Sequence, residues 1–368
     1  MEKEKQKEEE SPKELPSDVL YLIIEKFDID DLFSFRKVCK HWKMTSDYWS
    51  DFMASDSPLI VQKTPNAERS CSFYSIPEAR TFDTSLSCFN GFSFARFSSG
   101  YMIMVGDKPD LLLINPFARK RIEIPKQDDL FSVKNSSFKK AIVANSSSSS
   151  EEFIVVILND HEFNESNMLV YQSRVRNPAI YSSRDNGDRF NVDDVVVFHK
   201  TIYAITRDAE IGVVMLEPQG LRFLNLMNNP ENYGLLKLVN SNDDQLLVVN
   251  HLPYPRFEIY MIDFSARTWI KLRTLGDRSL FSVKCNPKCY ALSNPARWGF
   301  RSNCFYRLSS CYPKCEVFSM DGQFIETISI PEYPVPTNTT SQLLNYDWCF
   351  RPRRDVVDYG NLIESLSH

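Results

Sequence analysis

The chain has 368 residues, 43% hydrophobic and 25% charged, which excludes a fibrous repeat and wholesale disorder and leaves room for one small module plus one large domain. A net charge of −5 supplies no general attraction for phosphate backbones, so nucleic acid is not expected as a partner, and Arg351, Arg353 and Arg354 form only a short basic run. The N-terminal MEKEKQKEEE lacks the apolar stretch of an export signal, and no later run approaches the ~18 residues of a membrane span. An intracellular protein, in the nucleus or cytoplasm and without a membrane partner, is expected. Nine cysteines in such a compartment read as reduced thiols.

Residues 1–10 offer almost nothing to bury and are expected to form a disordered tail. From Ser11 the pattern changes. Leu20, Ile23, Ile24 and Phe27 recur at three- and four-residue spacing, as do Leu32, Phe35, Val38 and Trp42, which predicts two or three short amphipathic helices over 11–53. Pro16 suits a first helical position, and Asp30 is placed to cap the second helix. The helical pattern ends by about Met53, before the turn-rich ASDSP.

Beyond that point the period shortens to two. YMIMV (101–105), LLLI (111–114), FIVVIL (153–158), VVVF (195–198), TIYAIT (201–206), GVVML (212–216), LLVV (246–249), EIYMI (258–262), EVFSM (316–320) and QFIETISI (323–330) are short, rich in β-branched and aromatic residues, and bounded by turn formers. An all-β domain over 54–352 follows, with runs paired as hairpins across turns such as His199-Lys200. At roughly 40–50 residues per four-stranded blade this length makes a six- or seven-bladed β-propeller, with a large sandwich or barrel as the competing arrangement. Asn145 to Glu152, NSSSSSEE, reads as a flexible surface loop, and 353–368 as a C-terminal tail.

The segment 15–49 carries Leu15, Pro16, Asp18 and Val19-Leu20, then Leu32, Phe35-Arg36, Val38-Cys39-Lys40 and Trp42. In that order these residues resemble the F-box family, with Phe27-Asp28 and His41 departing from the usual plant pattern. The physical reading agrees: about 40 residues cannot bury enough apolar surface to be stable without a second surface to cover it. The resemblance implies that this surface is a Skp-type adaptor and, through it, a cullin. Carried over position by position, Leu15, Pro16, Leu20, Ile24, Leu32, Val38 and Trp42 are the expected adaptor-binding residues.

LLLINPFARKRIEIP (111–125), WIKLRTLGDRSLF (269–281), SNCFYRL (302–308), EVFSMDGQFIE (316–326) and WCFRP (348–352) together resemble the plant F-box-associated domain of kelch-like propeller type. The pair of resemblances implies a substrate-recognition subunit of a ubiquitin ligase, whose β domain binds a protein target and which does no chemistry of its own. Two alternatives stay open: an F-box scaffold outside a ligase, and a propeller that binds a small molecule.

Other chemistry is weakly signalled. Cys285, Cys289, Cys304, Cys311 and Cys315 crowd together, but their three-residue gaps do not match the usual zinc knuckles, so buried thiols and no metal are expected. His41, His161, His199, His251 and His368 fall in no catalytic pattern, and Asp193-Asp194 and Asp243-Asp244 read as turn residues at strand starts. No phosphate-cradling glycine loop is present; neither a catalytic residue nor a cofactor is expected. Arg297, Trp298, Phe300 and Arg301 form a basic-aromatic patch, and no residue is assigned to the substrate.

Overall fold

The computed structural model describes residues 15–24, 35, 38–45, 57–63, 70–85, 92–98, 100–106, 111–115, 120–124, 138–149, 151–160, 166–181, 190–241, 245–284, 288–310, 312–332, 345–350 and 355–363. The chain divides into two compact units, Met1–Met53 and Ala54–His368. In the first, α1 (Ser17–Ile24) opens where predicted, and residues 40–45 are helical. Asp30, Leu32, Met53 and the rest of the expected helical segment lie outside the described residues.

The described strands of the second unit form six sheets, the arrangement of a six-bladed propeller. Blade one holds β1 (Leu59–Lys63), β2 (Ser70–Ser75) and β3 (Arg80–Ser85). Blade two holds β4 (Phe92–Ser98), β5 (Tyr101–Gly106), β6 (Leu111–Asn115) and β7 (Lys120–Ile124). Blade three holds β8 (Phe138–Ser146), β9 (Phe153–Asp160), β10 (Ser166–Gln172) and β11 (Val175–Tyr181). Blade four follows with β12 (Val192–Phe198), β13 (Thr201–Thr206), β14 (Ile211–Met215) and β15 (Gly220–Phe223). Blade five is β16 (Leu235–Ser241), β17 (Gln245–His251), β18 (Phe257–Asp263) and β19 (Thr268–Leu272). Blade six is β20 (Arg278–Val283), β21 (Cys289–Ser293), β22 (Cys304–Leu308), β23 (Lys314–Ser319) and β24 (Phe324–Ser329).

The ring is closed by β25 (Asn345–Cys349), which returns to pair antiparallel with β1, Ile60 opposite Trp348. Strands β25, β4, β8, β12, β16 and β21 follow one another around the inside. Blade six departs from a plain meander, because β22 joins β20 in parallel and β21 takes the inner place. Every expected apolar run overlaps one of these strands; the middle strands are buried on both faces against neighbouring blades, whereas the outer β24, which carries QFIETISI, is largely exposed. The hairpin at VVVF-HK-TIYAIT pairs Phe198 with Thr201 across His199 and Lys200, both at positive φ, as a two-residue turn requires.

Apolar cores fill the spaces between blades. Trp348, fully buried, packs edge-on to Phe281 and donates its indole N–H to the Ser282 carbonyl at 2.9 Å, tying blade one to blade six. Around the inside, buried polar bonds repeat the theme. Lys140 of β8 meets Asp194 of β12 at 2.7 Å, and Lys288 meets Asp347 of β25 at 2.8 Å. The two carboxylates are used alike: Oδ1 of each also accepts the next backbone N–H, from Val195 and Trp348, at 2.9 Å. Lys237 of β16 donates to the Asp193 carbonyl at 2.6 Å, and Asn240 to that of Val197 at 2.8 Å. Burying such charges is tolerable only because each is paired and hydrogen-bonded.

Three expectations are corrected here. Asp193 and Asp194 are not solvated turn residues but buried parts of an inner strand, where Lys140 pairs with the Asp194 carboxylate and the Arg207 guanidinium lies 3.8 Å from that of Asp193. The NSSSSSEE segment is a surface hairpin only from Ser147 onward. Asn145 and Ser146 are buried and pair in parallel with β26 (Val356–Val357). The expected tail over 353–368 therefore contains structure belonging to the propeller. After β26, a 3-10 helix at Tyr359–Leu362 is capped by the Asp358 carboxylate, which accepts the Gly360 N–H at 3.0 Å. Val357 and Leu362 are fully buried in the core between blades three and four, which supplies the apolar burial that a polar-looking terminus needs to order.

Candidate functional site

The N-terminal unit presents the most distinctive surface among the described residues. The Pro16 carbonyl starts α1 by accepting the N–H groups of Val19 and Leu20 at 3.0 and 3.1 Å, and Asp18 complements the positive helix start. Leu20 is fully buried, whereas Leu15, Val19 and Leu22 are 40, 39 and 64% exposed. Their spacing of four and three residues places Val19 and Leu22 on one helix face, with Leu15 just ahead of it. A leucine and valine stripe left in water forgoes roughly 25 cal/mol per Å² of burial.

A second apolar exposure follows. Val38 and Met44 are 58 and 61% exposed, beside the short helical stretch 40–45. Phe35, buried, stacks on the half-buried Trp42 at 4.4 Å between ring centroids, fixing the local turn. Thr45 donates to the His41 carbonyl at 2.9 Å, and the Lys43 N–H to that of Cys39 at 3.0 Å.

The expected adaptor-binding residues thus fall into three groups. Leu15, Pro16 and Val38 are exposed and Trp42 is half-buried, so all four have atoms to offer. Leu20 points inward. The Ile24 side chain and Leu32 lie outside the described residues. Val19, which belongs to the motif, and Leu22 and Met44, which do not, are exposed beside them without being among the expected adaptor-binding residues.

Elsewhere the propeller absorbs its reactive groups into structure. Cys289, Cys304 and Cys315 are buried strand thiols, and burial pushes all three up from the usual thiol range; Cys285 and Cys311 lie outside the described residues. Among the described residues no group of three His, Cys, Asp or Glu is placed to hold a metal ion. Phe300 is a core residue packed edge-on to Phe281 and Tyr306, while Arg297 covers Trp298 and Arg301 pairs with Glu326 at 3.1 Å, so the basic-aromatic patch is divided among separate roles. A cleft of about 360 Å³ is lined by Gln245, Asp277, Arg278 and Asn294. The Arg278 guanidinium there is already bound to Gln245, Ser241 and the Leu275 carbonyl. His199 stacks on Phe198 in its turn; His161, His368, Asp243, Asp244 and Arg351, Arg353 and Arg354 lie outside the described residues. Among the described residues no helix is long and apolar enough to cross a membrane.

Comparison with known proteins fits this division. The family model described as the KIB1-4 beta-propeller matches residues 73–327, and that of the F-box domain matches residues 13–50. The propeller expected as kelch-like thus matches under a different family description. An F-box protein of Arabidopsis thaliana is 26% identical over 121 residues, a stretch covering 33% of this chain and 30% of that protein. Of solved structures, TolB from Acinetobacter baumannii is similar over 85% of this chain and 73% of its own, at 10% identity and a TM-score of 0.40. PorZ of Porphyromonas gingivalis is similar over 77% and 39%, at 9% identity and a TM-score of 0.37.

Proposed function

Because the chain belongs to the KIB1-4 beta-propeller family and carries an F-box ahead of its propeller, we propose that it is the substrate-recognition subunit of a Skp-cullin-F-box ubiquitin ligase. F-box domains in general bind Skp-type adaptors, and the observation that carries the reading for this chain is its exposed apolar stripe, Leu15, Val19 and Leu22, joined by Val38 and Met44. Leu15, Pro16, Ile24, Leu32, Val38 and Trp42 contact the adaptor, and Leu20 holds α1 in the shape that presents them. Apolar anchors of this kind contribute on the order of 2 kcal/mol each when they sit at the centre of an interface.

The chain itself supplies no acid, base or nucleophile to the reaction. The F-box fixes it to the ligase in the nucleus or cytoplasm. The propeller holds a protein target beside a charged ubiquitin-conjugating enzyme and raises the effective concentration of a target lysine.

Co-purification of the full chain with a Skp-type adaptor tests this reading. The wild type is expected to retain the adaptor, and a Leu15→Ala, Pro16→Ala, Trp42→Ala variant with an unchanged β-sheet circular dichroism spectrum is expected to lose it. Equal retention by both would overturn the assignment.

A further inference from the structure

Beside the core shared by blades five and six, cationic side chains gather against aromatic rings. Arg307 of β22 is only 6% exposed; burial disfavours its charge, and the Glu316 carboxylate opposite it in the β22–β23 ladder offsets this in part without forming an ion pair within 4 Å. Three aromatic rings surround the guanidinium: Phe318 at 5.0 Å, and Phe305 and Tyr254 at 5.4 Å. Glu316 is committed to Lys314 at 2.8 Å. Cation–π contacts engage the faces of a guanidinium and leave its in-plane N–H groups able to donate to an acceptor.

The neighbours point the same way. His251, at the end of β17, is edge-on to Phe305, and its Nε2 is sealed from solvent without a hydrogen-bond partner. Burial first, and after it the charges of Arg307 and Lys237, holds its imidazole down to about 3. Tyr254, which also faces the Arg307 guanidinium, is 59% exposed and carries the Lys284 ammonium over its ring at 4.9 Å. Lys284 is exposed and has no carboxylate partner among the described residues.

We propose that this cationic and aromatic cluster binds an oxyanion, with Arg307 as the principal donor, His251 beside it, and Tyr254 and Lys284 gripping the group that carries it. The oxyanion is the carboxylate or phosphate of a protein segment. Planar N–H pairs of arginine fit either group, and the aromatic rim suits an adjoining apolar or aromatic side chain. Only the identification of the carrier as a protein segment rests on the ligase reading; the anion site stands without it.

The test uses the full chain without any adaptor, so failure of F-box binding cannot be mistaken for failure here. Inorganic phosphate, acetate, a hexaglutamate peptide and a phosphoserine hexapeptide are titrated at matched ionic strength, following the imidazole 15N resonances of His251. Saturable binding of at least one probe is expected, weakened about tenfold in Arg307→Met. Because Arg307→Met alters packing, Lys284→Ala and Tyr254→Ala, which change only exposed side chains, serve as second variants and are expected to weaken binding about threefold. Tighter binding of a peptide than of the free anion identifies a protein segment as the source, and the preferred peptide identifies its group. Preference for the free anion retains the site and overturns the protein source. Saturation by none of the four, or equal binding by wild type and all three variants, overturns the site.

Discussion

Leu20 and Leu22, two positions apart on α1, divide its work: one is fully buried, the other 64% exposed. A substitution at Leu22 therefore acts on whatever the stripe binds, whereas one at Leu20 acts on the fold first. His251 offers a second separation at this scale. Its imidazole is held far below the ordinary 6.5 by burial and by Arg307 and Lys237, so the unfolded chain binds a proton there that the folded one refuses. The neutral histidine is compatible with the fold above pH 6.5, and stability is lost as pH falls from 6.5 towards about 3, by up to ~1.4 kcal/mol per pH unit for one proton. Urea denaturation between pH 7 and 4 is expected to show a steeper loss in wild type than in His251→Asn. Parallel profiles would contradict the account.

Among the elements, the C-terminal segment is the one whose position in the chain conceals its role. The Asp358 N–H donates to the Lys200 carbonyl at 2.8 Å, the Leu216 N–H to that of Leu362 at 2.6 Å, and the Asn145 N–H to that of Asp355 at 2.8 Å. The segment thus straps blade three to blade four. Leu362→Asp, or termination after residue 354, is expected to destabilise the propeller by about 3 kcal/mol or more, because an apolar side chain in a closed core is replaced by a charge or removed. Thermal unfolding measures it, and an unchanged midpoint would contradict the strap. This segment also marks where the sequence stops being legible. Middle strands such as FIVVIL and LLVV announce themselves, since both their faces are buried. Inner strands conceal themselves, because Lys140, Asp194 and Asp347 interrupt the apolar pattern and the lysine–aspartate pairs that bury them are 54 and 59 positions apart. β26 is only two residues long, too short for any period. At the F-box, the motif named the surface, but the inward turn of Leu20 depends on packing that spacing alone does not give.

The whole propeller is a ring, and its stability depends on contacts that join blades rather than on those within them. Lys140–Asp194 between blades three and four and Lys288–Asp347 between blades six and one are equivalent staples. Asp194→Asn is expected to cost about 3–5 kcal/mol by leaving Lys140 charged and unpaired, whereas Lys140→Met with Asp194→Leu is expected to be much closer to neutral. Equal losses in the single and double variants, by urea denaturation, would show that the pair is not coupled. In the proposed function the same ring is the frame that would hold a target, and the F-box is what would attach that frame to the ligase.

The most direct measurement of that division is isothermal titration of a Skp-type adaptor into the full chain and into a Leu22→Asp variant of unchanged melting temperature. The account predicts tight binding by wild type and a loss of at least about tenfold in the variant, since a carboxylate would replace an apolar anchor on the exposed stripe. Equal affinity for both, or no binding by the wild type, would contradict it.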